Sequence, residues 1–293
     1  MARSEQRRGR VVGLGLCVVD HLYVVDRLDF SGERTRYREW VVSAGGMVTT
    51  ALAEAARLGC APQLLSVLGD DEPGNLAHRQ LRAAGVGTRY LVRSSRVPTT
   101  VAVVFVAWRS GERRFLVADR RAVERRAPRL DITPIRRAGA LLIDGHFPAD
   151  ALRAVRHAAE HGVPVVADFT RPSAAASRLL PFVDYAIVPE SFAEAFTPGA
   201  RHDTLFRLRD EFGCTPVLTQ GARGGLWLEG ARVRRFRSPR VRVRDTTGAG
   251  DAFHGAFAAG LTQGLPLARN LSRAARSGAR CCGALGGVAS VVR

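Results

Sequence analysis

The chain is 293 residues long, with 46% hydrophobic residues and a formal net charge of +17, which allows one large α/β domain or two smaller ones around a substantial core. All 44 basic residues are arginine, which excludes a P-loop of the GxxxxGK[ST] type, a protein-kinase strand lysine and a lysine Schiff base. The arginines are spread along the whole length, so the charge reads as compositional bias and argues against a nucleic-acid surface.

Five cysteines, odd in number and without a CxxC pair, point to a reducing, cytoplasmic compartment and to no structural zinc. Met1 to Arg10 reads as a disordered basic tail, and the apolar residues 11–19 after it imitate a signal peptide. That reading fails on Gly13, Gly15, the terminating Asp20 and the missing small-x-small cleavage site. No apolar run reaches the roughly 18 residues of a membrane span.

Val11 to Val19 is predicted to be a strand buried on both faces of a parallel sheet. Asp20 then falls just past its carboxyl end, where open α/β sheets bind ligands; it either hydrogen-bonds a polyol or caps a turn. Residues 22–43 and 97–118 are β-rich, charged excursions that read as a small accessory sheet. Ala44-Gly45-Gly46 opens a helix that runs to Leu58, closed by Gly59. A strand at Leu64 to Leu68 leads through Gly69-Asp70-Asp71-Glu72-Pro73-Gly74 into a helix ending at Ala84. Strands at 140–143, 163–167, 185–188 and 217–219 then alternate with helices at 149–160, 173–180 and 201–212. Such alternation with short connections means βαβ units and a mostly parallel sheet with helices on both sides. A hairpin across Glu229-Gly230 follows, and helical patterns at 252–261 and 267–280 end the chain.

Between hairpin and helix lies Asp245-Thr246-Thr247-Gly248-Ala249-Gly250-Asp251-Ala252-Phe253. Two glycines free the backbone to turn its N–H groups toward one point, and the following helix adds the positive end of its dipole, so the stretch reads as a phosphate cradle. Asp251, in the first turn, is placed to take a proton from an attacking hydroxyl. The bland alternative is a tight turn with an aspartate favoured near a helix start. Four other features are open. Asp144-Gly145-His146 and Asp168 end strands on the ligand side. His254 is either catalytic or packed, with packing favoured on its Ala/Gly/Phe face. The arginines between 109 and 137 are mostly surface, with one or two near the accessory sheet in reach of an acidic group.

Taken together, GxxxxD (Gly15 to Asp20), AGGMVTTALAEAARLG (Ala44 to Gly59), GDDEPG (Gly69 to Gly74), TQGARG (Thr219 to Gly224) and DTTGAGDAFHGAF (Asp245 to Phe257) resemble the ribokinase or PfkB family of sugar kinases, in that family's order and over nearly the whole chain. The resemblance implies a ribokinase-like three-layer αβα sandwich over 11–293, with a mostly parallel central sheet. The excursions at 22–43 and 97–118 become a small β-sheet lid that in many members also forms a homodimer. It implies Asp251 as catalytic base, the backbone of Gly248, Ala249 and Gly250 as anion hole, and Asp20, Gly45, Gly46 and Thr50 as substrate-binding positions. Thr219, Gly221, Gly224, Asp245 and Thr246 match cofactor-binding positions. ATP and Mg²⁺ are implied, with K⁺ beside Asp245 in some members; which residues hold the metal is left open.

Two departures bear on substrate and metal. Thr50 replaces the family's usual asparagine, and the NxxE motif falls on Glu190 and Ala193, with Glu194 one residue out of register. These features are similar to the ketohexokinase-like and sulfofructose-kinase-like branch, so a ketohexose or a derivative is the expected acceptor. Ribose, a nucleoside, 2-keto-3-deoxygluconate and a sugar phosphate are the alternatives within the family. A non-catalytic sugar- or nucleic-acid-binding protein is the alternative from another class.

Overall fold

The computed structural model describes residues 7–292. Its strands are β1 (Val11–Leu14), β2 (Val18–Val25), β3 (Tyr37–Gly45), β4 (Gln63–Gly69), β5 (Leu91–Ser94), β6 (Thr100–Ala107), β7 (Arg113–Val117), β8 (Ala140–Ile143), β9 (Val165–Asp168), β10 (Tyr185–Pro189), β11 (Thr215–Thr219), β12 (Gly225–Glu229) and β13 (Arg232–Phe236). The α-helices are α1 (Met47–Arg57), α2 (Glu72–Ala83), α3 (Arg120–Arg126), α4 (Pro148–Glu160), α5 (Ala174–Leu179), α6 (Glu190–Phe196), α7 (Asp203–Phe212), α8 (Ala249–Thr262), α9 (Leu267–Cys281) and α10 (Gly287–Val292). None of them is long and apolar enough to cross a membrane.

Nine strands form the central sheet in the order β13-β12-β11-β10-β9-β8-β1-β4-β5, and only β12 runs against the rest. Strand residues alternate between its two faces. Leu14, Leu65, Leu141, Ile143, Val188 and Leu218 meet the buried residues of α4, α5, α6 and α7. Val11, Leu64, Leu142, Val166, Ile187 and Val217 meet those of α1, α2, α8 and α9. This is the expected three-layer sandwich. The chain leaves β1 toward β4 on one side and returns through β8 on the other, so the sheet opens a crevice at the carboxyl ends beside β1.

A second sheet, β3-β2-β6-β7, forms the lid, with β2 parallel to β6 and antiparallel to β3. One face carries Leu22, Val24, Val104 and Val106 against Leu285. The other carries a run of aromatic pairs, Tyr23 with Tyr37, Trp40 and Phe105, and Phe30 with Phe105, of which Tyr37 and Trp40 are half exposed or more.

Two boundaries differ from expectation. The apolar run 11–19 is two strands, because the chain leaves the central sheet after Leu14 and enters the lid at Val18. Asp20 therefore lies inside lid strand β2 rather than in a loop past β1. Of the basic tail expected over 1–10, residues 1–6 lie outside the described residues, while Arg7 donates to the carbonyls of Arg136 (3.0 Å) and Gly162 (3.4 Å).

Under the site, Glu54 of α1 is fully buried and receives both Arg57 (2.6 and 2.8 Å) and Arg280 of α9 (3.0 Å). Burial pushes its carboxyl up, but hydrogen bonds from Arg57 and Ser277 and the two arginine charges outweigh it and hold the pKa below the glutamate range. A depressed carboxylate stabilises the fold above its unfolded pKa, and that contribution is lost as pH falls through the folded one. Glu54→Gln is therefore expected to cost about 1.5–3 kcal/mol in urea unfolding at pH 7, the value of a hydrogen bond to a charged group. The gap should close as the medium is acidified below the carboxylate range; a gap that stayed constant would assign the loss to packing.

Candidate active site

A cleft of about 500 Å³ runs between the carboxyl edge of the central sheet and the lid. Asp144, Asp168, Pro189 and Thr219 reach it from the ends of β8 to β11, Asp20, Ala102, Arg113 and Phe115 from the lid, and Gly250, Asp251 and His254 from α8.

The start of α8 is built for an anion. Gly248, its N-cap, sits at φ 80°, in the left-handed region that a side chain disfavours. The Ala249 N–H turns back to Thr246 O at 3.3 Å and that of Ala252 to Gly248 O at 2.8 Å. Among the described residues the N–H groups of Gly248, Gly250 and Asp251 have no backbone acceptor. A Cβ at Gly250 would meet nothing within 4 Å. The turn thus faces open space with free donors at a helix N-terminus. Asp245 does not line the cleft. Its buried carboxylate accepts the N–H of Thr247 (2.8 Å) and of Gly286 (3.1 Å), tying the turn to the segment before α10.

Asp20, 8% exposed, points into the cleft past Gly45, where a Cβ would overlap its Oδ2. Burial, helped by the Asp245 carboxylate, pushes its pKa up to about 7. Gly46, at φ 102°, caps α1, and one turn on Thr50 lines the cleft with its buried Oγ1 lacking a hydrogen-bond partner. Thr219 and Thr246 line the cleft too, whereas Gly221 and Gly224 shape the turn beside it, closed by the Gln220 N–H donating to Gly224 O at 2.8 Å.

Four carboxyl groups crowd this space. Asp168, buried, is pushed up to about 8 by burial and by Asp144, and its Oδ2 faces the His254 ring without a well-formed hydrogen bond. Asp251 is raised well above the carboxylate range, first by burial, then by Asp168 and Asp20, with His254 and Arg113 opposing. Asp144 accepts the N–H of Leu16 (3.2 Å) and of His146 (3.0 Å). The His146 ring meets Glu124 at 2.5 Å and Arg120 at 3.1 Å. His254 is a tie rather than a reacting group: its ring nitrogens lie 2.8 Å from Gly250 O, 3.1 Å from Ile187 O and 3.2 Å from Asp168 Oδ2.

At the altered NxxE positions, Glu190 turns to Arg223 (2.5 and 2.6 Å) and Gln220 (3.2 Å). Ala193 is core, and Glu194 pairs with Arg201 at 2.9 Å, away from the cleft. Three lining residues carry no motif signal: Phe115, Thr170 and Ser191 are gathered by the fold, whereas Thr247 lies within the Asp245 to Phe253 stretch. Arg113 stands out from the neighbouring Arg114 only through the face of β7 on which it falls.

Raised carboxyl pKa values stabilise the fold below the unfolded pKa and lose that contribution as pH rises through the folded one. For Asp20 and Asp168 the window runs from about 4 to about 8. The ligand-free protein is therefore expected to melt at progressively lower temperature across that window. Asp168→Asn should flatten the decline and raise Tm at pH 8; an unchanged slope would show that Asp168 stays ionised.

The pfkB family carbohydrate kinase model matches residues 8–292. A Bacillus subtilis ribokinase is 24% identical, with 94% of each chain covered, and a Salmonella typhimurium aminoimidazole riboside kinase is 28% identical over 82% of this chain and 81% of that one. Among solved structures, Arabidopsis thaliana ribokinase complexed with ribose and ATP superposes with a TM-score of 0.78 at 22% identity, covering 96% and 95% of the two chains. A Xylella fastidiosa fructokinase with bound ATP gives 0.78 at 23%, covering 97% and 95%. The fold, the Asp251 turn and these likenesses agree, and the chain belongs to the pfkB family of carbohydrate kinases.

Proposed function

We propose that this ATP-dependent sugar kinase phosphorylates a primary hydroxyl of a small ketose or of an acidic derivative of one. The observation that carries the reading is Asp251 set beside an open cradle of backbone donors, in one cleft with Asp20 and Thr50. Asp20 and Thr50 orient the sugar hydroxyls. Asp251 takes the proton of the attacking hydroxyl, and the free N–H groups of Gly248 and Gly250 hold charge developing on the transferred phosphoryl group. The ketose preference rests on Thr50 in the asparagine position, and the fructokinase likeness is in keeping with it. Ribose is the second reading, favoured by relatives named ribokinase.

A divalent cation fits the cleft-lining carboxylate of buried Asp168, whose Oδ2 has only the His254 ring beside it. Mg²⁺, when bound with ATP, would offset phosphate charge there. A monovalent cation fits Asp245, a buried carboxylate with no cationic side chain within 4.0 Å among the described residues. The aromatic outer face of the lid fits a second copy of this chain, and sedimentation of a Trp40→Glu variant as a monomer, against a wild-type dimer, would support that.

A coupled ADP-release screen over ketoses, aldoses, nucleosides and acidic sugars tests the acceptor. A nucleoside preferred tenfold or more in kcat/KM would overturn the ketose reading. With the best acceptor, Thr50→Val should cost about twofold to tenfold in kcat/KM, the value of one neutral hydrogen bond. Unchanged kinetics would remove Thr50 from the acceptor site.

Asp251→Asn keeps shape but cannot accept the proton, so kcat should fall by about 10²–10⁴ while ATP binding measured by calorimetry survives. Gly250→Val should do the reverse. Its side chain enters open space, so the fold is kept, but it fills the cradle and ATP affinity falls. More than about a tenth of wild-type kcat in Asp251→Asn would mean another base.

A further inference from the structure

The cysteines offer no zinc set, but a different donor set closes helix α4. His157, Glu160 and His161 stand at i, i+3 and i+4, so they share one face at its end. That face flanks the buried stripe of Ala151, Ala154, Val155 and Ala158, which leaves His157 half-buried and Glu160 and His161 exposed. One nitrogen of each ring and one Glu160 oxygen lie within 4.8 Å of one another, and the ring centroids are 4.2 Å apart. The backbone beneath is pinned: the N–H groups of His161 and Gly162 donate to Ala158 O and Ala159 O at 3.1 Å, and that of Val163 to Ala158 O at 2.9 Å.

The three donors also keep free lone pairs. His161 Nδ1 lies 2.9 Å from His157 O, and since a carbonyl only accepts, that nitrogen carries a proton and the neutral ring keeps its lone pair on Nε2. The buried Nε2 of His157 has no hydrogen-bond partner, which leaves Nδ1, 3.6 Å from Glu160 Oε2, as the outward nitrogen of that ring. Glu160 has no arginine within 4.0 Å among the described residues, in a chain of 44 arginines.

The geometry points to a transition-metal site on the surface of α4, in which His157, Glu160 and His161 bind one divalent cation of the Zn²⁺, Ni²⁺ or Cu²⁺ class. Two imidazoles and a carboxylate suit these ions, and two histidines at i and i+4 on one helix face are a zinc-binding spacing. Mg²⁺ prefers oxygen ligands and gives up its water reluctantly, so the cation that accompanies ATP does not compete here. Three protein ligands leave the remaining coordination to water. The bound ion cross-links the end of α4 just before Gly162, where the chain turns toward β9. Asp168 closes the far end of that strand, so the site is separate from the cleft and stands whichever sugar is accepted.

Calorimetry on the full, untagged chain with ZnCl₂ or NiCl₂ tests the site. Wild type should bind one equivalent, undisturbed by excess Mg²⁺. Glu160→Gln and His161→Ala, both at exposed positions, should weaken binding by at least about tenfold, since even the outer partners of a metal site are worth roughly 10–100-fold. His202→Ala, which changes an exposed histidine at the start of α7, should bind as wild type does. Ni²⁺ should raise the Tm of wild type and leave that of the Glu160→Gln, His161→Ala double variant unmoved, because an ion bound by the folded state stabilises it through mass action. Cobalt(II) should give a spectrum without a thiolate charge-transfer band. No binding heat and no rise in Tm for wild type would overturn the proposal. Equal affinity in wild type and the double variant would overturn it too, and a thiolate band would give the ion to the cysteines.

Discussion

Everything in the site depends on one electrostatic conflict. Asp20, Asp144, Asp168 and Asp251 share a cleft from which protein has displaced most of the water, and burial alone already raises each of them. Ionising all four without compensation costs several kcal/mol, since each carboxylate feels the others through a medium less polar than water. Opposite them stand the free N–H groups of the 248–251 turn, which attract an anion. The ligand-free protein therefore sets these carboxyl groups beside anion donors, with Asp144 taken up by the N–H groups of Leu16 and His146 and Asp168 facing the His254 ring.

That arrangement requires two rigid supports. The central sheet fixes Asp144 and Asp168 at the ends of neighbouring strands, while α8, packed between α1 and α9, fixes Asp251. His254 links the two supports, because its ring reaches Gly250 on α8, Ile187 on β10 and Asp168 on β9 together. The lid supplies the third side. Asp20 and Arg113 sit on the same inner surface of that sheet, and both line the cleft.

The 245–253 turn is legible in the sequence because its function lies in backbone geometry, and backbone geometry of this kind requires glycine at fixed spacing. Gly46 and Gly248, both at positive φ, are readable for the same reason. The alternation of strands and helices is equally legible, since buried parallel strands write continuous apolar runs. The break between β1 and β2 is not. Leu16 and Cys17 leave the sheet but remain buried, so hydrophobicity runs unbroken from Val11 to Val19 and conceals the crossing into the lid. Helix α3 is hidden because only Val123 in it is buried and arginine fills most of the rest. The His146, Glu124 and Arg120 cluster assembles from helix α3 and the connection after β8, and no local pattern announces such a meeting.

The Glu190 position shows how one substitution is absorbed by its neighbours. A carboxylate there, close to the nucleotide turn, would repel phosphate if left free. A single Arg223 nitrogen, Nη2, donates to both Glu190 oxygens, and Gln220 and Arg201 add further donors, so the Glu190 charge is turned toward the 220–223 loop rather than toward the cleft. Because Glu190 is the first residue of α6 and Arg223 lies in the turn after β11, the pair also braces adjacent sheet ends against each other. The acid at this position thus serves as a strut for the 220–224 turn.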